Sequence, residues 1–150
     1  MTQPAGGAAG GFTLVEMLLS VAIITLIVAV GTPVYETFVR RNDLDITTQT
    51  VAGMLRRAEV YARAVSGDSV WSVEFQSGTV TLFKGATFAG RDTGFDEAVS
   101  VPDSMSLSGL TEVQFAKLSG APNTTGTLTL TSTANATRTI TLNAKGMVTY

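Results

Sequence analysis

The chain carries three successive rhythms of apolar and polar positions. Residues 12–34 are apolar almost without a break, and the one charge among them is Glu16. Over 34–66 the apolar positions thin to a single stripe. Leu44, Val51, Leu55, Ala58, Ala62 and Val65 step by 7, 4, 3, 4 and 3 residues, the spacing that stacks side chains on one face of an α-helix. Arg40, Arg41, Arg56, Arg57, Glu59 and Arg63 fall mostly between them. From about residue 68 the period drops to two, in short runs separated by turn residues, which reads as antiparallel strands.

Local signals refine these elements. Pro33 lacks an amide donor and its ring crowds the preceding turn, so Gly31-Thr32-Pro33 predicts a weakened or kinked helix. Gly53 sits inside the helical pattern at a cost of about 1 kcal/mol relative to Ala, and a slight bend is expected there. Ser66-Gly67-Asp68 places a glycine where helices commonly stop. As one helix, 12–66 would cover roughly 55 residues, about 80 Å at 1.5 Å per residue.

In the last rhythm, 70–75 and 79–83 form a hairpin across Ser77-Gly78, with Trp71, Val73 and Phe75 on one side. Residues 90–97 read as a looser stretch. Short strands follow at 99–101, around Leu107 and at 113–115, and 120–126 is a loop. The last hairpin sets 127–131 against 139–142, and a Lys145-Gly146 turn leads into 147–150. Its strict Thr/apolar alternation predicts one buried face and one threonine-covered face, the latter open to solvent, to a glycan or to an edge-pairing partner.

Composition narrows the chemistry. The chain is 45% hydrophobic with a mean hydropathy of +0.29, and the first 34 residues supply much of that. It holds no Cys and no His, which removes disulfides, thiolate nucleophiles, the usual general base and the commonest transition-metal ligand. No catalytic constellation remains, and no cofactor is expected. Asp92, Asp96 and Glu97 form the one dense acidic patch, able to offer oxygens to Ca²⁺ but without the alternating spacing of a dedicated loop. The net charge of −2 argues against a polyanion binder. Across 70–150 five basic residues (Lys84, Arg91, Lys117, Arg138, Lys145) stand scattered against six acidic ones.

The apolar segment admits three readings. It is long enough to cross a hydrocarbon core of roughly 30 Å, and could be a plain signal anchor. It could also be a secretory signal peptide cut before Thr32, after Ala29-Val30-Gly31. Neither gives Glu16 a reason, although a carboxylate in such a segment costs about 2.5–3.5 kcal/mol on insertion scales and marks a functional position by default. In the third reading 1–11 is a polar leader removed after Gly11. Cleavage frees an α-amino group on Phe12, four residues from Glu16 in the first helical turn, where the macrodipole favours negative charge. An ammonium on a neighbouring subunit is then a natural partner for the carboxylate. The leader has no Lys or Arg, while Arg40 and Arg41 follow the segment; by the positive-inside rule alone the C-terminal side would be cytoplasmic.

Gly11-Phe12-Thr13-Leu14-Val15-Glu16 followed by an apolar helix resembles the processing signature of the type IV pilin and type II secretion pseudopilin superfamily. The layout of the rest, with turns near Gly78, 120–126 and Gly146, is similar to the H-type minor pseudopilins and FimT-like minor pilins. The resemblance implies an α+β, pilin-like fold, a long N-terminal α-helix packed against a C-terminal antiparallel β domain of two short sheets. It divides the chain into a leader (1–11), a transmembrane and assembly helix (12–34), an amphipathic helix (35–67) and a β domain (68–150). It implies cleavage between Gly11 and Phe12 by a prepilin peptidase, N-methylation of Phe12, and Glu16 setting register against other pilin or pseudopilin subunits, with Pro33 as the helix interruption of the family. The C-terminal domain would lie outside the cytoplasm of a bacterial cell, anchored by a single pass in the cytoplasmic membrane before filament assembly. The role expected is structural, not enzymatic. The alternative is a DNA-binding minor pilin of a competence pilus, although nothing here clusters the basic residues for nucleic acid.

Overall fold

The structure, a computed structural model, describes residues 11–150, and the side chains of all of these except 30–34, 36 and 37. The leader residues 1–10 therefore lie outside the described residues. The architecture is α+β: one long helix, α1 (Leu14–Arg63), and two antiparallel four-stranded sheets. The chain divides into two compact units, Met1–Thr37 and Phe38–Tyr150.

In the first unit α1 begins one residue after Thr13. The Thr13 hydroxyl oxygen accepts the Glu16 amide at 3.2 Å, which satisfies one of the orphan donors of the first turn. Apolar side chains from Leu14 to Val28 are exposed. The fully described apolar run, 14–29, rises only about 24 Å at 1.5 Å per residue, and among the described residues no helix is long and apolar enough to cross a membrane. The remainder of the expected span, including the side chain of Pro33, lies outside the described residues. The helix assignment nevertheless continues through position 33, so Pro33 does not end it.

In the second unit α1 buries Leu44, Val51, Ala52, Met54, Leu55, Ala58 and Ala62. These pack with Trp71, Val73, Phe75, Val113 and Phe115 of one sheet and Leu128, Leu130, Ile140 and Leu142 of the other into a single core. Val65, expected on the same face, is not on the helix at all. α1 stops at Arg63, and Val65 takes a left-handed conformation (φ 53) before a 3₁₀ turn at Ser66–Asp68. The chain must turn there to bring Trp71 onto the sheet, and the Trp71 indole N–H locks the turn by donating to the Ser66 carbonyl at 2.9 Å.

Gly53 does not break α1, and a Cβ built there meets nothing within 4 Å. Gly53→Ala is therefore expected to stabilise the protein by about 1 kcal/mol, the propensity difference with no steric debit. Chemical denaturation with an unchanged m value checks it.

The first sheet joins β1 (Trp71–Gln76), β2 (Thr79–Lys84), β3 (Asp92–Ser100) and β5 (Glu112–Phe115) in the order β3-β2-β1-β5. The second joins β4 (Met105–Gly109), β6 (Gly126–Ser132), β7 (Thr137–Leu142) and β8 (Val148–Thr149) in the order β4-β6-β7-β8. The β1–β2 hairpin forms across Gly78, with Trp71 opposite Lys84 and Gln76 opposite Thr79. Its outer face is not open: Ser72 and Phe83 are also buried, because Phe88 packs on Phe83 at 5.6 Å and the Arg91 guanidinium stacks on Phe88 at 3.7 Å. The stretch expected to be loose is instead the nine-residue strand β3, paired along β2. In the β6–β7 hairpin the Leu/Ile positions are buried and the threonines half-buried or exposed, as the alternation requires.

Candidate functional site

The head of α1 holds Gly11, Phe12 and Glu16 close together in sequence, whereas Pro33 stands 17 positions further along α1 with its side chain outside the described residues. Gly11 and Phe12 precede the cap outside any regular element, and both are exposed. A Cβ at Gly11 would meet nothing within 4 Å, so no part of the described fold demands glycine there; any such demand comes from whatever reads the segment. Glu16 is exposed and stands third in the helix, the place where Thr-x-x-Glu forms a capping box. The Met17 amide donates to the Thr13 carbonyl at 3.2 Å. Thr13, already part of the motif, thus also caps the helix, a role that its spacing to Glu16 signals. The hydroxyls of Ser20 and Thr25 each donate to the carbonyl four residues earlier, Glu16 and Val21, at 2.7 Å. That leaves the Glu16 carboxyl as the one ionisable side chain of the segment.

The acidic patch disperses into separate ion pairs. Asp92 faces Lys84 (3.7 Å), Asp96 takes the Arg91 guanidinium (2.7 Å), and Glu97 takes Arg57 of α1 (2.6 Å). Among the described residues no group of three or more acidic side chains is placed to hold a metal ion. Two further arginines of the helix are engaged as well. Arg56 donates to the Val148 carbonyl (3.0 Å) and lies over the Tyr150 ring, and Arg63 pairs with Glu59 (2.8 Å). Arg138 of β7 reaches back to Asp45 (2.7 Å), and Lys117 pairs with Asp68, whose carboxyl it holds below the usual range by a hydrogen bond and by its charge. Among the described residues, Arg57, Arg63, Lys84, Arg91, Lys117 and Arg138 each face a carboxylate.

Comparison with protein-family models, with curated proteins and with solved structures gave no match in any of the three.

One pair of like charges stands apart. Glu74 of β1 and Glu112 of β5 are directly opposite in register, and Glu74 Oε2 is buried without a hydrogen-bond partner. Desolvation first, then the Glu112 charge and a hydrogen bond with Glu112, raise the Glu74 carboxyl above its ordinary range, with Gln76 offsetting part of this. A raised folded value means that stability is lost as pH climbs from about 4.3, the unfolded value, through the folded one. Glu112→Gln should therefore stabilise at pH 7 by about 0.5 kcal/mol, within the range for opposed like charges on strands. Thermal melts from pH 7 to pH 3.5 should show that advantage shrinking as Glu74 protonates, whereas a pH-independent gap would place its cause elsewhere.

Proposed function

We propose that the chain is a structural subunit of prepilin type. It is cut between Gly11 and Phe12 by a prepilin peptidase, N-methylated on Phe12, and held in the bacterial cytoplasmic membrane with 68–150 outside the cytoplasm. From there it enters a type IV pilus or type II secretion pseudopilus through α1. The observation that carries the reading is the head of that helix: an apolar segment with its side chains exposed and a lone carboxylate, Glu16, in the first turn. Two features support it. The Ser20 and Thr25 hydroxyls are spent on helix carbonyls, so they add little to the cost of apolar surroundings. The Glu16 carboxylate alone then calls for an external partner, and an ammonium freed on Phe12 of a neighbouring subunit has the right charge.

In this reading 12–34 spans the membrane and 38–150 supplies the surface that neighbours meet. The deciding experiment is the intact mass and N-terminal sequence of protein extracted from its native membrane. A chain starting at Phe12 with one added methyl group is expected. A start at Thr32 would make the apolar segment a secretory signal and remove Glu16 from the mature protein altogether. Replacing Gly11 with Phe should leave the melting temperature unchanged, since the position is sterically open, yet block cleavage. An unaltered mature mass in that variant would refute the site.

A further inference from the structure

The two sheets end in four edge strands, and three of these are blunted. β3 carries Asp92, Asp96 and Glu97, and its register shifts between Leu82 and Lys84 of its neighbour; edge charge and bulges are devices that stop unwanted pairing. The outer side of β5 is taken up by its own following loop. Asn123 donates its amide to the Gln114 carbonyl (2.8 Å), its side-chain oxygen accepts the Gln114 amide (2.9 Å), and Phe115 bridges to Pro122. β8 is two residues long. The fourth edge, β4, has none of these features. Met105–Gly109 contains no charge and no proline, and it pairs with β6 on one side only.

Alternation decides which backbone groups face outward. The Ser104 carbonyl accepts the Thr133 amide (2.8 Å), and Ser106 and Ser108 stand opposite Thr131 and Thr129. The even-numbered residues thus spend their backbone groups on β6, and the odd-numbered ones direct theirs to the open side. The Met105 amide is already given to the Pro102 carbonyl at 2.9 Å. The outward set is then the amides of Leu107 and Gly109 and the carbonyls of Met105, Leu107 and Gly109. Under a two-fold axis through Leu107 both outward donors meet acceptors, Leu107 with Leu107 and Gly109 with Met105, and the Gly109 carbonyl of each copy is left to solvent.

The side chains agree. Leu107 is half-buried and packs against the core, so its uncovered part would be covered by the same residue of a second copy. Ser106 and Ser108 are exposed and neutral, and the register sets Ser106 opposite the second copy's Ser108 without repulsion. We propose that β4 is a homodimerisation edge, pairing antiparallel with β4 of a second copy and joining two four-stranded sheets into one of eight. A closed two-fold contact uses every outward donor of the edge, which an open-ended one does not. This inference does not depend on how the N-terminus is processed.

The full chain in detergent micelles tests it by sedimentation velocity and disulfide capture, since the protein has no cysteine of its own. Ser106→Cys chains mixed with Ser108→Cys chains should yield a disulfide-linked heterodimer on mild oxidation, and neither variant alone should do so comparably. Ser106→Lys with Ser108→Lys, which opposes like charges across the axis, should weaken dimerisation about tenfold. Ser106→Lys with Ser108→Glu, which opposes unlike charges, should restore it. The proposal is overturned by a chain that stays monomeric at all concentrations, by equal dimerisation of the two charge variants, or by efficient disulfide formation in Ser106→Cys alone.

Discussion

Glu16→Ala is expected to be exported and cleaved normally, and then to fail to enter filaments. The Thr13 cap is made to the Glu16 backbone amide, so it survives the substitution and the helix start stays wound. Propensity does not oppose the change, because Ala is the better helix former. What disappears is the carboxylate, and with it the one group in the segment that can neutralise a neighbouring ammonium in an apolar bundle. Two charges about 4 Å apart in a partly desolvated site attract by about 4 kcal/mol at an effective dielectric near 20. Losing a large share of that is enough to reduce incorporation more than tenfold. Quantifying the subunit in sheared filaments against the membrane pool measures it. Glu16→Gln should fail equally, because it keeps the shape and loses the charge. Normal incorporation of either variant would strip Glu16 of its proposed role.

Phe115→Ala is expected to be the most damaging single truncation in 38–150, costing about 3–5 kcal/mol. Phe115 is fully buried, ends β5, and faces the helix side of the core. It also forms the bridge to Pro122 that closes the β5 edge, so the cavity opens beneath that edge. A drop of more than roughly 10 °C in melting temperature should follow. Phe95→Ala is the control, because Phe95 is half exposed on the edge strand β3, and its loss should cost under about 1 kcal/mol. Equal effects from the two would mean that the core is not centred where the burial places it.

What the sequence revealed follows the strength of its local signals. The β1–β2 and β6–β7 hairpins were legible because alternation and Gly-containing turns act over a few residues. The core face of α1 was legible from Leu44 to Ala62 for the same kind of reason. Its end was not. Val65 continues the apolar step perfectly, and only the tertiary need to deliver Trp71 to the sheet forces a β-branched residue into a left-handed turn. β3 was missed because Asp92, Gly94, Asp96 and Glu97 are poor strand formers by propensity. Pairing with β2 and ion pairs to Lys84, Arg91 and Arg57 outweigh that preference, and of these only Arg91 lies in the same local window. The same ion pairs give each carboxylate of the acidic patch its own cation. At the N-terminus both the motif and the Thr13-to-Glu16 capping spacing lie within a few residues of each other.

Trp71 has a practical consequence for all of these measurements. It is the single tryptophan of the chain, almost fully buried, with its ring 4.7 Å from Tyr61 and 6.2 Å from Phe95. Its fluorescence therefore belongs to the joint between the end of α1 and β1, and the close tyrosine acts as an energy donor to it. Residues 1–37 contribute no indole emission whatever surrounds them, whether micelle, vesicle or filament. An emission shift on denaturation thus reports on the globular unit alone, without label or tag, in the same sample where the fate of the apolar helix is followed by other means.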